Sequence, residues 1–382
     1  MELDDFRAGL DLWLDENAAA LAPDHPGEGS LDDHMAQLSK VKRLAYDAGW
    51  MRWGWPTSVG GLGGSTLLRG YLGEALTLRD LVEPGIYSMT EVLAPTMIDY
   101  ASPSLAAEMV PRLLRGDETW CQGFSEPGTG SNLAALTCRA VRSASGSGSD
   151  DGWRVTGQKV WTSLAQYAQR CVLLTRTGSV ESAHRGITAL FVDVDSPGIT
   201  IRPIETMHER PEFCEVFFDD VFVPGSRMLG EEGQGWSVAM DLLPYERSTS
   251  LWHRGAFLHQ RLSRLLAAAP ADALTPTEVG EAFQQVFALR ARSRLTQHRL
   301  DAGDRLGPET SIDKILLATT EQAVFDLVAA GLADDVLAGD SAGDARWRSE
   351  YVYSRAATIY GGSAEIQRNV VARRLLDLGA DR

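Results

Sequence analysis

Val155-Thr156-Gly157-Gln158-Lys159-Val160-Trp161 opens a stretch whose period differs from the chain on either side. Four more runs follow: Cys171-Val172-Leu173-Leu174-Thr175, then residues 187–194, 199–204 and 215–223. All are rich in Val, Ile, Phe and Thr and bounded by Gly, Pro or Asp, which is how strands read. No helix of useful length fits between them, so they predict an antiparallel sheet and not β-α-β units. Residues 143–152, rich in Ser, Gly and Asp, read as a solvated hairpin loop.

Outward from this block the period becomes helical. Phe6, Leu10, Trp13 and Leu14 fall on one helical face, and Leu38, Val41, Leu44 and Ala45 begin another. Helical patterns continue over residues 67–81 and 93–115. Between them, residues 49–64 form a Gly-rich loop without phosphate-loop spacing, read as a tight connection packed by Trp50, Trp53 and Trp55. After Pro224-Gly225 four helical stretches cover 236–266, 279–302, 312–337 and 347–378. Segregated α, β, α blocks indicate an α+β protein. The expected division is 1–117 N-terminal all-α domain, 118–225 central antiparallel β-domain and 226–382 C-terminal helices.

The formal charge of −16 argues against nucleic acid or an anionic membrane as partner, since both require basic patches. No run approaches the ~20 apolar residues that span a bilayer. Met1-Glu2-Leu3-Asp4-Asp5 lacks the basic start of a signal peptide, and Cys121, Cys138, Cys171 and Cys214 show no C-x-x-C pairing. The expectation is a reducing cytoplasm with the cysteines as small buried hydrophobes. His184, His208, His253 and His259 show no metal spacing and read as surface or packing residues; no metal is expected.

Four segments carry candidate chemistry. Small residues in Phe124-Ser125-Glu126-Pro127-Gly128-Thr129-Gly130-Ser131-Asn132 let a backbone approach a flat or phosphorylated ligand. Lys159-Val160-Trp161-Thr162-Ser163 ends a strand with an aromatic wall. Glu246, followed by Arg247, shares a helical stripe with Ala239, Leu242 and Leu243, an unusual place for a carboxylate. Pattern alone reads it equally well as a surface Glu paired with Arg247. Pro244 inside the same helix should kink it. Tyr360-Gly361-Gly362-Ser363-Ala364-Glu365 breaks one helix and starts another, with Ser363 as N-cap.

In this order the four segments resemble the acyl-CoA dehydrogenase family over nearly the whole chain. Phe124-Ser125-Glu126-Pro127-x-x-Gly130-Ser131-Asn132 is similar to its flavin-loop signature, with Asn132 where Asp is usual. Lys159-x-Trp161-Thr162-Ser163 is similar to its flavin-edge strand, and Tyr360-x-Gly362-Ser363-x-Glu365-Ile366-Gln367-Arg368 to its C-terminal signature. The resemblance implies an N-terminal helical domain, a central β-domain and a C-terminal four-helix bundle. It implies FAD, an acyl-CoA substrate dehydrogenated between Cα and Cβ, and an electron-transferring flavoprotein as electron acceptor. Phe124, Ser125, Gly130, Ser131, Trp161, Thr162, Ser163, Ser363 and Glu365 are the implied cofactor contacts. Many members place the base directly after the signature Tyr, where this chain has Gly361. A minority place it before an Arg in the earlier helix, which Glu246-Arg247 fits, with Arg247 at the substrate. The resemblance further implies that the base's own backbone N–H helps hold the thioester oxygen.

Two family elements are missing. Around 280–295 stand Phe283-Gln284-Gln285-Val286-Phe287 and Arg290-Ala291-Arg292, with no Arg-x-x-Phe-Gly; around 325–332 there is no Gln-x-x-Gly-Gly-x-Gly. Both normally cover the adenosine half of FAD across a subunit interface. The chain is then either a homo-oligomer that covers this half differently, or one chain of a heterotetramer of the steroid side-chain type. Alternatives on the same fold are a partner subunit with little activity alone, an acyl-carrier-protein dehydrogenase or a flavin monooxygenase. The identity of the acyl group is not legible.

Overall fold

The computed structural model describes residues 1–25, 28–143, 151–248 and 250–379. The hairpin-loop residues 144–150 therefore lie outside the described residues. Helices α1 (Leu3–Glu16), α2 (Ala18–Leu21), α3 (Leu31–Asp47), α4 (Leu67–Leu78), α5 (Pro84–Tyr100) and α6 (Pro103–Arg115) come first. Their starts follow local chemistry: Ser30 and Asp33 form a capping box on α3, and Ser102 caps α6 ahead of Pro103. Phe6, Leu10 and Leu14 are the buried face of α1, as their spacing predicts. In the Gly-rich connection, Trp55 is buried under the Arg69 guanidinium, 3.9 Å from its ring, and Trp50 packs edge-on to Phe6.

Strands β1 (Trp120–Gly123), β2 (Arg139–Ser143), β3 (Gly152–Ser163), β4 (Arg170–Arg176), β5 (Ile187–Asp193), β6 (Ile199–Ile204), β7 (Phe213–Pro224) and β8 (Met228–Leu229) form one eight-stranded sheet. Its order is β6-β7-β3-β2-β4-β5-β8, with β1 paired to β4. All five predicted runs are strands. The sheet is mixed, which corrects the antiparallel expectation: β1 runs parallel to β4, and β2 meets β4 in parallel at Arg139 and Arg176. Because β2 touches β4 at only one end, the rest of that edge is open to β1, the strand that enters from α6. The excursion between β1 and β4 is the β2–β3 hairpin, so a parallel pair arises without a crossover helix.

Helices α7 (Gly235–Ser248), α8 (Ser250–Ala268), α9 (Pro276–Asp301), α10 (Thr310–Gly331), α11 (Ala333–Ala338), α12 (Ala342–Ser354) and α13 (Ala364–Arg374) complete the chain. Thr275 and Glu278 box the start of α9, and Ser341 and Asp344 that of α12. α7 continues through Pro244, and no break interrupts it there. One apolar core joins α5, α6, the sheet and α7 through Trp120, Phe191, Val238 and Leu242, with Trp120 and Phe191 edge to face at 4.9 Å. That core fixes α7 against β1. All four cysteines are buried and free. No described helix is long and apolar enough to cross a membrane, and no cluster among the described residues could hold a metal.

Candidate functional site

The loop after β1 is anchored from beneath. Lys159, fully buried on β3, donates to Glu126 Oε1 at 2.8 Å and to the Phe124 carbonyl at 3.1 Å. Glu126 also accepts from the backbone N–H groups of Thr137 and Cys138 and from the Thr137 hydroxyl. Burial pulls the Glu126 carboxyl up, but Lys159 and these donors outweigh it and hold it below the usual range. The anchored loop buries Phe124 and leaves Ser125 half-buried, its carbonyl accepting from Val160 N–H at 2.9 Å. Gly130 and Ser131 are exposed at its outer end, and a Cβ at Gly128 or Gly130 would meet nothing within 4 Å.

Beside this loop the β3–β7 ladder slips its register between Lys159 and Thr162. Trp161 occupies the slip in a left-handed conformation, φ +59°, and its indole is 58% exposed against Phe213. A β-bulge re-aims a side chain in this way. Thr162 beside it is buried, and its Oγ1 has no hydrogen-bond partner; Ser163 is half-buried. An exposed indole face, an unsatisfied buried hydroxyl and an open glycine loop fit a flat heteroaromatic group with a phosphate-bearing tail.

The second half of the site is built on α7. Glu246 is half-buried, and Gln122 of β1 donates to its Oε2 at 3.0 Å. Its Oε1 stands 3.1 Å from where a Cβ of Gly361 would be, and Lys314 Cε of α10 stands 3.4 Å from the same point. Gly361 sits at φ +63°, a conformation that favours glycine. Arg247 Nε donates to its carbonyl at 3.1 Å. Lys314 Nζ donates to the Ala357 carbonyl at 2.8 Å and lies 3.8 Å over the Tyr360 ring. The Gln122 amide and the bare backbone of Gly361 thus border the Glu246 carboxylate, with Lys314 beside Gly361.

Gly361→Ala places a methyl against Glu246 in a backbone region costing about 1–2 kcal/mol. The 3.1 Å contact asks Glu246 Oε1 to give way by only a few tenths of an ångström, so the backbone cost dominates. Gly361→Ala should therefore lower the urea midpoint by an amount equivalent to that cost of about 1–2 kcal/mol, and an unchanged midpoint would show that the left-handed turn carries no such cost.

Burial draws the Lys314 amine down to about 8, against the pull of Glu321 and Glu246. From about pH 8 up to the ordinary 10.5, the unfolded chain keeps a proton that the folded chain has released. This group's contribution to stability therefore rises with pH across that window, and the penalty is fully present below it. Lys314→Met should lose the rise. The difference in urea midpoint between wild type and variant should move toward wild type between pH 7.5 and 10, and a constant difference would refute the shift.

Ser363 caps α13 as predicted, accepting from Ile366 N–H at 3.4 Å. Glu365 is exposed, with Arg368 as its ion partner. The structure gathers Glu246, Arg247 and Gly361 in one place and Phe124, Ser125, Trp161, Thr162 and Ser163 around the β3 bulge. Gly130, Ser131 and Glu365 lie on the surface, and Ser363 makes a local contact. Sequence reading missed Gln122 and Lys314. Lys314 had a signal, a lone cation among Ile312, Ile315, Leu316 and Leu317; Gln122 had none.

Residues 121–221 match the middle domain of acyl-CoA dehydrogenases and residues 233–376 their C-terminal domain. The acyl-CoA dehydrogenase IpdE1 of Mycobacterium tuberculosis is 33% identical over 99% of this chain and 98% of its own length. The solved Tcur3481-Tcur3483 steroid ACAD is similar at 25% identity, with TM-score 0.78 over 99% of this chain and 96% of that one. Glutaryl-coenzyme A dehydrogenase in complex with glutaryl-CoA shares the fold at 18% identity, TM-score 0.83, over 99% and 97% of the two chains. Full-length similarity, two domain matches and the α-β-α architecture agree, and the chain belongs to the acyl-CoA dehydrogenase family.

Proposed function

We propose that the chain binds FAD and dehydrogenates an acyl-CoA thioester to the trans-2-enoyl-CoA, with Glu246 as the base that takes the α-proton. The observation that carries this reading is the Glu246 carboxylate filling the space beside Gly361, the position where many relatives carry their base. Bound FAD supplies the acceptor for the hydride that leaves Cβ. Phe124, Ser125, Trp161, Thr162 and Ser163 would hold its ring, with Gly130 and Ser131 toward the pyrophosphate and Ser363 and Glu365 approaching from α13.

The chain's own groups then divide the work. A thioester α-proton is weakly acidic, so its base must be poorly hydrated and aimed. The Gln122 amide fixes one carboxylate oxygen and leaves the other beside Gly361. Arg247 ties the Gly361 carbonyl to α7 and keeps the two sides in register; a substrate contact by Arg247 is part of the same proposal. The developing enolate oxygen needs donors. Glu246 lies within α7, where a helical N–H bonds the carbonyl four residues back, so its own N–H is committed. Gly361 lies outside any helix, and its N–H is the better donor.

Anaerobic titration with a panel of acyl-CoA thioesters tests the reading: bleaching of the flavin supports it, and an inert flavin with every thioester sinks it. A second reading concerns assembly. On α9, where the family's interface motif is missing, Phe283 and Phe287 are 49% and 65% exposed and stack on each other. Large exposed aromatics mark interaction surfaces, and ChsE4-ChsE5 of Mycobacterium tuberculosis, which shares the fold at 24% identity and TM-score 0.77, is a complex. We infer that a related subunit covers this face and the adenosine half of FAD. One FAD per chain and full turnover in the protein purified alone would exclude an obligate partner. An electron-transferring flavoprotein is the proposed acceptor.

A further inference from the structure

Lys314 of α10 is 2% exposed and reaches across to the turn that carries Gly361. Its Nζ donates to the Ala357 carbonyl at 2.8 Å and stands 3.8 Å from the centre of the Tyr360 ring, so the ammonium is held between a carbonyl and an aromatic face. It also stands 3.8 Å from where a Cβ of Gly361 would be, a point that Glu246 Oε1 approaches to 3.1 Å. Four charged groups face it. Glu321 on its own helix and Glu246 on α7 favour the charged amine, while Arg254 of α8 and Arg247 of α7 oppose it. The Tyr360 hydroxyl donates to the same Glu321 carboxylate at 3.2 Å, which ties the ring over the ammonium.

The backbone of the turn shows what this contact does. After α12 a single helical turn covers Arg355–Thr358. The Ile359 and Tyr360 N–H groups both bond the Ala356 carbonyl, at 2.8 and 3.1 Å. The Gly361 N–H comes next and bonds no acceptor among the described residues. In a continued α-helix its acceptor would be the Ala357 carbonyl, four residues back. Lys314 holds that carbonyl instead. The chain leaves the helix at Gly361 with φ +63°, next to the Glu246 carboxylate and with its N–H unspent. A buried charge behind such a donor acts in a water-poor place, where it counts for more than in solvent.

Resting on the reading of Glu246 as base and of the Gly361 N–H as enolate donor, we propose that Lys314 is a positioning residue for the dehydrogenation: its ammonium holds the Ala357–Gly361 turn open, so that the N–H is free for the thioester oxygen, and sets a positive charge behind that donor. It touches neither the substrate nor the flavin and acts through Gly361. Enolate charge develops only on the way to the transition state, so the contact speeds the chemical step and leaves thioester binding largely alone. Burial draws the Lys314 amine down to about 8, against the pull of Glu321 and Glu246. Below that pH the ammonium is present. As the pH rises through it, the charge and its attraction to the Tyr360 ring are lost.

The test follows anaerobic flavin reduction in the assembled holoenzyme, with a thioester that bleaches wild type, from about pH 6.5 to about pH 10. Wild type should lose rate along an alkaline limb centred near pH 8. Lys314→Met should reduce its flavin about 10- to 100-fold more slowly at pH 7, up to the lower end of the roughly 10²–10³ of a deleted donor. Its half-saturating thioester concentration should stay within about threefold of wild type, and the limb should be gone. Lys314→Gln can still donate to the Ala357 carbonyl but carries no charge, and should be slow and flat as well. Lys314→Arg, charged across the whole range, should keep most of the pH 7 rate and show no limb. A limb that persists in Lys314→Met or Lys314→Gln overturns the inference, as does a loss carried by the half-saturating concentration or a pH 7 rate like that of wild type. Where Lys314→Met does not fold, Lys314→Gln decides; where no variant folds, the wild-type profile decides, and one flat to pH 10 overturns the inference. Bleaching of wild type without a limb that depends on Lys314 defeats only this inference, whereas no bleaching by any thioester defeats the dehydrogenation itself.

Discussion

Glu246→Gln is expected to fold, to retain its flavin and to reduce it with acyl-CoA about 10²–10⁴-fold more slowly, the range a positioned general base contributes. Glutamine keeps the shape of the side chain, and its carbonyl oxygen can still accept from Gln122 Nε2, so the β1–α7 contact survives. What it loses is the capacity to take a proton beside Gly361. None of the implied flavin contacts runs through residue 246, so cofactor content should match wild type. Anaerobic stopped-flow with a reactive thioester separates the two effects. Rapid bleaching in this variant would move the base elsewhere, and loss of flavin would recast Glu246 as a structural residue.

Lys159→Met should produce the largest loss of stability. Lys159 is fully buried and its partner Glu126 nearly so, with 2.8 Å between them. Removing one member of such a pair leaves an uncompensated charge and costs about 3–5 kcal/mol. The Phe124 carbonyl loses its donor at the same time, so the loop ahead of Gly130 and Ser131 loosens. Urea denaturation should show the shift in midpoint, and purified variant should carry less flavin than wild type. The double variant Glu126→Gln/Lys159→Met should recover part of the stability, because no buried charge remains. A single-variant loss under about 1 kcal/mol would mean that the pair contributes little.

The long strands were legible because each is a run of β-branched and aromatic residues closed by turn residues. β1, β2 and β8 were not: Trp120-Cys121-Gln122-Gly123 is four residues long and reads as part of a loop. The α13 start was legible because Ser363 caps it with its own side chain three residues away. The Glu246–Gly361 pairing was legible only through family resemblance, since the two positions are 115 residues apart and their contact is made by packing. The histidines show the same limit. His208 read as surface or packing, and it packs: it is buried edge to face with Tyr353 of α12 at 5.2 Å, a partner 145 residues away that residue order does not name.

The sequence by itself determined the α, β, α order, the helix caps and the Gly361–Gly362 break, because periodicity, capping and turn chemistry act over a few residues; the family was legible only as a resemblance of its four motifs. Only the tertiary structure decided that the sheet is mixed, that Gln122 and Lys314 attend Glu246, and that Trp161 is turned outward by a slipped register. Those facts depend on distances between segments remote in the chain, which are set by how a shared core closes and leave no local trace in residue order.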